Sequence, residues 1–133
     1  MFAKECCVSM KKDTMESISN AEWQVAKVLW QSAPLTAAEI IEKLKGNTDW
    51  NPKTIHTLIG RLSKKGIIKA QEGITPYSYY PLISEAECGI VKTQSLVNRI
   101  YNGSFSLMVS HFLKDEKLPP EEIEKLKKLI NGQ

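Results

Sequence analysis

The stretch from Trp50 to Gln71 constrains the fold of this chain more than any other, because it carries clear helix signals and no acidic residue. Asn51 is a favourable N-cap, and Pro52 suits the first helical position, where its missing N–H has no intrahelical partner to lose. Gly66 is a typical residue just past a helix end. The sequence therefore predicts a helix between Asn51 and Gly66.

This helix has two faces of opposite character. The apolar face follows the spacing i, i+3, i+4, i+7 and consists of Ile55, Leu58, Ile59 and Leu62. The opposite face, which we call the basic face, consists of Lys53, Thr54, His56, Thr57, Gly60, Arg61 and Lys64. An apolar face for the core and a basic, hydroxyl-rich face without negative charge are typical of a helix that lies against phosphates and base edges.

Positive charge is concentrated in the first part of the chain. Residues 1–82 contain eleven Lys and Arg against eight Asp and Glu, whereas residues 83–133 contain seven against seven. Lys53 lies in the first turn of the basic helix, where a cation is mildly unfavourable, so a phosphate partner explains it best. Lys64 and Lys65 also have a simpler explanation, since cations near a helix C-terminus favour the helix dipole. His56 fits either a donor to DNA or an exposed residue without a role.

The flanking segments complete a recognisable pattern. Capping boxes at residues 19–22 and 36–39 predict two further helices before the basic one. After it the period changes to about two, and β-prone runs at residues 67–71 and 77–80 predict a hairpin with a loop of about five residues. Three short helices and a hairpin predict a winged helix over residues 18–82, with the basic helix second in the helix-turn-helix. Residues 1–17 are predicted to be a loose tail.

Residues 83–133 predict a second domain of three amphipathic helices, so the fold class is mainly α with a small β-hairpin. A capping box at residues 84–87 begins the first helix, and Asn102 with Gly103 ends it. The apolar stripes of the later helices supply the candidate dimerisation residues Phe105, Met108, Val109, Phe112, Ile123, Leu126 and Ile130. So short a segment cannot enclose these faces alone, which predicts a homodimer with two winged helices placed to read a palindrome.

Several classes of function are disfavoured. The chain has no His-Glu-x-x-His run, Gly-rich phosphate loop or Gly-x-Ser-x-Gly elbow, so we predict no catalytic residue, no cofactor and no metal site. Cys6 and Cys7 are adjacent and lack a third ligand nearby, and Cys88 is better explained as a small buried residue. Three cysteines indicate a reducing, cytoplasmic setting. No apolar run approaches the ~20 residues that span a bilayer, so no membrane insertion is expected.

Several segments resemble the penicillinase-repressor family, BlaI/MecI. They are residues 18–25 (ISNAEWQV), 28–30 (VLW), 49–55 (DWNPKTI), 57–59 (TLI), 61–62 (RL), 64–66 (KKG) and 101–103 (YNG). The resemblance implies a homodimeric repressor of inverted-repeat operators, which in this family often control β-lactamase or penicillin-binding-protein genes. It implies that the basic helix enters the major groove with Asn51, Lys53, Thr54, His56, Thr57 and Arg61 near DNA. Lys64 and Lys65 join them as candidate DNA-binding residues on charge.

The resemblance also bears on induction. Antibiotic-responsive members are cut at an Asn-Phe bond in the dimerisation domain, and the matching pair here is His111 and Phe112. The family resemblance further implies a membrane sensor protease, or another protease, as a possible partner. Copper-responsive relatives carry Cys-x-Cys motifs near the C-terminus, and this chain has none there. Two alternatives stay open: a winged-helix protein-interaction module, and a thiol- or metal-responsive regulator that works through Cys6, Cys7 and Cys88.

Overall fold

The computed structural model describes residues 12–73, 75–115 and 117–132. Helix α1 covers residues 12–16. It is followed by α2 (Asn20–Ser32), β1 (Leu35–Thr36), α3 (Ala37–Leu44), α4 (Pro52–Lys64), β2 (Ile68–Ala70), β3 (Ser78–Pro81), α5 (Glu85–Ile100), α6 (Phe105–Lys114) and α7 (Pro120–Asn131). The predicted helix-turn-helix corresponds to α3 and α4, and the predicted wing to β2 and β3.

Side-chain caps begin the helices of the winged helix as predicted. Ser19 and Glu22 form a complete capping box at the start of α2, in which each side chain accepts the backbone N–H of the other. Thr36 and Glu39 do the same at α3. Such caps satisfy backbone donors that a helix start leaves without partners. These two predictions are confirmed.

The sheet is larger than the predicted hairpin. Strands β2 and β3 pair antiparallel, with Lys69 opposite Tyr80, which confirms the wing. Strand β2 has three residues instead of the predicted five, and β3 begins one residue later than predicted, so the connection spans residues 71–77 rather than about five residues. The two-residue strand β1 adds to the other edge of β3, with Leu35 opposite Tyr79, and the order is β1-β3-β2. A strand of two residues is too short to show an alternation of apolar and polar residues, which is why the sequence did not predict β1.

One hydrophobic core holds the winged helix together. The apolar face predicted for α4 is fully inward, and Ile55, Leu58, Ile59 and Leu62 are all buried. They pack with apolar residues of α2 and α3 and with the two isoleucines at the start of the wing. The buried partners include Val25, Ala26, Leu29, Ile40, Leu44, Ile67 and Ile68. This packing leaves the opposite face of α4 toward solvent.

The loose tail predicted over residues 1–17 needs correction in its described part. Residues 12–16 are helical, and the side chain of Met15 is only 4% exposed within the core of the winged helix. Ile18, just after this helix, is 1% exposed. A polar segment with one apolar anchor gives no periodic signal, so its docking depends on the tertiary structure.

The chain divides into two compact units, Met1–Lys92 and Thr93–Gln133. The division lies inside α5, ten residues beyond the predicted boundary at residue 82. Ile83 and Cys88 explain the shift, because both are buried in the core of the first unit. The second unit contains the end of α5 with α6 and α7. None of the helices in the described parts of the chain is both long and apolar enough to cross a lipid bilayer.

Candidate nucleic-acid interface

The basic face of α4 is exposed along its whole length. Lys53, Thr54, His56, Thr57, Gly60, Arg61 and Lys64 are all exposed. The first turn of α4 contains no acidic residue. Among the described residues, no carboxylate forms a salt bridge with Lys53, Arg61 or Lys64. These three cations are therefore available to phosphates.

Asn51 orders the start of the basic face. Its side-chain oxygen accepts the backbone N–H of Thr54 at 2.9 Å, which confirms the predicted N-cap. The same oxygen accepts the Thr54 hydroxyl at 3.2 Å. The Asn51 oxygen is thus occupied within the protein, while its amide N–H groups are left as donors for a ligand. The positive end of the helix dipole adds to the attraction for an anion.

Thr57 and Gly60 shape the middle of the basic face. The Thr57 hydroxyl donates to the Lys53 carbonyl at 3.0 Å, so its oxygen presents lone pairs to a donor outside. Gly60 lies one turn further on, and a Cβ placed there would meet nothing within 4 Å. None of the described side chains fills this space, so the helix backbone can be approached closely at Gly60.

Lys65 differs from its neighbours. Its ammonium lies 2.6 Å from a carboxylate oxygen of Glu22 and 2.9 Å from the Ser17 carbonyl oxygen. The Lys65 side chain is 25% exposed and that of Glu22 only 2%. Unlike Lys64, whose side chain is exposed, Lys65 thus has its charge bound within the first unit.

The buried carboxyl group of Glu22 titrates abnormally. Burial by itself would raise its pKa, but the hydrogen bond from Lys65, the backbone N–H of Ser19 and the lysine charge outweigh burial. The pKa of Glu22 is therefore below its ordinary value of 4.5. Sequence reasoning identified Glu22 only as part of a capping box, and no sequence signal links it to a lysine 43 residues away.

The candidate dimerisation residues lie in the second unit and are incompletely covered. Phe105 is 58% exposed, Phe112 43% and Ile130 74%. Met108, Val109, Ile123 and Leu126 are half-buried. Neither α6 nor α7 has a fully buried residue among those described. These helices thus present apolar surface that their own unit does not cover.

The candidate cleavage bond between His111 and Phe112 lies inside α6. The Tyr101 hydroxyl lies 3.2 Å from Nδ1 of His111, and Asp115 lies 3.3 Å from its Nε2. The His111 ring is thereby held between the end of α5 and the end of α6. Sequence reasoning linked neither Tyr101 nor Asp115 to His111, although the spacing from His111 to Asp115 is that of neighbours on one helix face.

The cysteines form no site in the described residues. Cys88 is fully buried, and burial, aided by the neighbouring Glu87 charge, raises the pKa of its thiol to about 11. The prediction of a small buried residue is thus confirmed for Cys88. Cys6 and Cys7 lie outside the described residues. Within the described ranges, no group of three or more His, Cys, Asp or Glu side chains is placed to hold a metal ion.

Comparison with known proteins identifies the family. The profile of the family described as Penicillinase repressor matches residues 18–132. The chain belongs to the penicillinase repressor family. Methicillin resistance regulatory protein MecI of Mammaliicoccus sciuri is 38% identical over 114 residues, which are 86% of this chain and 93% of that protein. Penicillinase repressor of Bacillus licheniformis is 38% identical over 121 residues, 91% of this chain and 93% of that protein.

A solved structure supports the same assignment for the first unit. The solution structure of the DNA binding domain of the repressor BlaI matches with a TM-score of 0.50 and 36% identity, and the match covers 55% of this chain and 89% of that chain. The penicillinase repressor family consists of repressors rather than enzymes. The predictions of a winged-helix fold and of a non-enzymatic repressor are therefore confirmed.

Proposed function

We propose that this penicillinase repressor family member is a homodimer that binds an inverted-repeat operator through the basic face of α4. The observation that carries the proposal is the set of exposed cations on that face, Lys53, Arg61 and Lys64, which have no carboxylate partner among the described residues. DNA phosphates supply the missing charge, and the polar side chains between them reach base edges. Since the proposed partner is operator DNA, a cytoplasmic location belongs to this proposal.

The homodimer is supported by the uncovered apolar residues of the second unit. Eight large apolar side chains there are more than a third exposed: Leu96, Ile100, Phe105, Leu107, Phe112, Leu113, Leu129 and Ile130. Exposed apolar surface beyond scattered single residues is typical of an interaction site on a protein. A second copy offers the same surface and buries both at once, as two-fold dimers do.

The regulated genes and the inducing signal form a finer part of the proposal. The relatives are named for penicillinase repression and methicillin resistance, so we infer that the operators control β-lactamase or penicillin-binding-protein genes. Relief by cleavage between His111 and Phe112 would separate α7 and the end of α6 from the rest of the dimerisation helices. Exposure of the native host to a β-lactam, followed by intact-mass measurement, tests this. Fragments that end at His111 support cleavage, whereas derepression with an intact chain rules it out.

A titration of operator DNA at several salt concentrations tests the main proposal. If the dimer neutralises about eight phosphates, the logarithm of the binding constant should fall with the logarithm of salt concentration at a slope of roughly −7. Sedimentation equilibrium should give twice the mass of the chain. Binding that does not respond to salt, or a monomer at the concentrations that bind DNA, contradicts the proposal.

The alternatives predict different behaviour. A protein-interaction module needs no acid-free basic face, and the exposure of that face on α4 favours DNA. A thiol-responsive regulator needs an accessible thiolate, whereas Cys88 is buried with a raised pKa. Native mass spectrometry with and without metal ions, and before and after mild oxidation, would reveal a role for Cys6 and Cys7.

A further inference from the structure

Three consecutive carbonyl groups at the end of α1 are bound by two lysines from distant parts of the chain. The Lys92 ammonium donates to the Ile18 carbonyl at 2.6 Å and to the Glu16 carbonyl at 3.2 Å. The Lys65 ammonium donates to the Ser17 carbonyl at 2.9 Å. Lys65 follows the last residue of α4, and Lys92 lies in the first half of α5.

Helix geometry explains why lysines suit this place. The last carbonyls of a helix have no N–H partner within it, and the helix dipole makes this end negative. Ammonium groups donate hydrogen bonds to these carbonyls, and their positive charge is favourable at the negative end of the helix dipole. Met15, the residue directly before Glu16, is buried in the core and anchors this segment. The family profile begins at residue 18, so α1 lies before the matched region.

Glu22 completes the arrangement. A single oxygen of its carboxylate accepts both the Lys65 ammonium at 2.6 Å and the Ser19 N–H at 2.8 Å. Lys65 is also the C-cap residue of α4, and its backbone N–H donates to the Arg61 carbonyl. The end of α4 is thus tied through one residue to the start of α2 and to the end of α1.

We propose that Glu22 and Lys65 are positioning residues for operator recognition, and that residues 12–18 brace the end of α4 from within the first unit. This inference rests on the proposed function, because it concerns how the basic face is presented to DNA. Base readout requires side chains that are held close to one geometry. A helix whose end is free to tilt therefore discriminates less well between operator and other DNA sequences. Lys65 acts in this way through Glu22 and Ser17 and does not contribute a phosphate contact.

The salt dependence of operator binding separates positioning from phosphate contact. The double substitution Glu22→Gln with Lys65→Met removes the ion pair without leaving a buried charge, and glutamine can still accept the Ser19 N–H. We call the slope of the logarithm of the binding constant against the logarithm of salt concentration the salt slope. If Lys65 only positions α4, the salt slope should not change. The ratio of operator to random-DNA affinity should fall by about tenfold, roughly the discrimination carried by one good base contact. Amide exchange at the end of α4 should become faster.

Lys64→Met is the matched control, since the neighbouring lysine is exposed and unpaired among the described residues. It should lower the salt slope by about 0.9 for each protomer and leave the affinity ratio unchanged. Lys92→Met gives a second variant that leaves Glu22 paired. Lys92→Met should lower the ratio of operator to random-DNA affinity without changing the salt slope. The reason is that it removes only the bonds to the Glu16 and Ile18 carbonyls.

A lower salt slope in the double variant would show that Lys65 contacts phosphate, and would overturn the inference while leaving the proposed function intact. An unchanged affinity ratio in both the double variant and Lys92→Met would overturn it as well. If the unaltered protein itself binds operator and random DNA equally, or binds without salt dependence, the proposed function fails instead.

Discussion

The ammonium of Lys65, at the end of α4, lies 2.6 Å from a carboxylate oxygen of Glu22 on α2. Glu22 is nearly inaccessible to solvent, so water and salt screen this ion pair poorly. Loss of one partner should therefore destabilise the folded protein. The same oxygen closes the capping box of α2. One buried carboxylate therefore fixes the beginning of one helix and the end of another.

The lowered pKa of Glu22 predicts acid sensitivity. In the unfolded chain the carboxyl regains its ordinary pKa of 4.5, so around that pH the unfolded state binds more protons. The stability that Glu22 contributes is fully present above the unfolded pKa and is lost as pH falls through the folded pKa. Urea unfolding of Glu22→Gln at pH 7 and under acid conditions should therefore show a flatter pH dependence than the unaltered protein.

Glu39→Gln is the control for this pH dependence. Glu39 occupies the same capping position at α3, and its pKa is lowered by the backbone N–H and hydroxyl of Thr36, but its side chain is exposed and has no buried ion pair. It should flatten the pH profile less than Glu22→Gln. An equal effect of the two substitutions would contradict a special role for the Lys65 contact.

Lys53→Ala should separate DNA binding from folding. Lys53 lies in the first turn of α4, at the positive end of the helix dipole. Removal of a cation there should leave the free energy of unfolding unchanged or raise it by about 0.3 kcal/mol. Affinity should fall for all DNA sequences alike, and the salt slope should drop by about 2 for a dimer. Lys127→Ala on α7 removes the same charge elsewhere and should leave the slope unchanged.

Gly60→Ala should stabilise the free protein and weaken its complex with the operator. Glycine inside a helix is about 1 kcal/mol less favourable than alanine, and in the described part of the chain a methyl group at Gly60 would have no neighbour from outside its own helix backbone within 4 Å. A DNA backbone seated against the basic face would meet it. Gly89→Ala in α5 is the control, because its Cβ also has open space. It should raise the melting temperature without changing operator affinity.

The Cys88 thiol should be inert in the folded protein. It is buried, and its pKa of about 11 leaves almost no thiolate at neutral pH. Peptide mapping after brief treatment with a thiol reagent should find Cys88 unlabelled in native protein and labelled in denaturant. Rapid native labelling of Cys88 would revive a thiol-responsive mechanism.

Truncation should locate the end of the DNA-binding unit. A fragment that ends at Lys92 should fold as a monomer with weak operator affinity, because it retains the core and lacks α6 and α7. A fragment that ends at Leu82 loses Ile83, whose carbonyl accepts the Trp30 indole N–H at 2.9 Å, and loses the buried Cys88. It should be less stable by at least about 2 kcal/mol in urea unfolding. Equal stability of the two fragments would favour a boundary at residue 82.

The sequence by itself determined the features that depend on local chemistry. The cap at Asn51, the two capping boxes and the division of α4 into an apolar and a basic face are all encoded within a few residues, because helix signals and helical period act over one or two turns. The hairpin was visible for the same reason. These local signals were sufficient to predict the winged helix and the basic face that we propose meets DNA.

Only the tertiary structure decided which partner each long-range group finds. Lys64 and Lys65 are adjacent and chemically identical, yet the structure leaves one exposed and binds the other to Glu22, 43 residues away. The docking of α1 through Met15, the strand β1 and the inclusion of Cys88 in the first core were likewise hidden. Each depends on contacts between distant segments, which form only when the apolar faces have packed and brought those segments together.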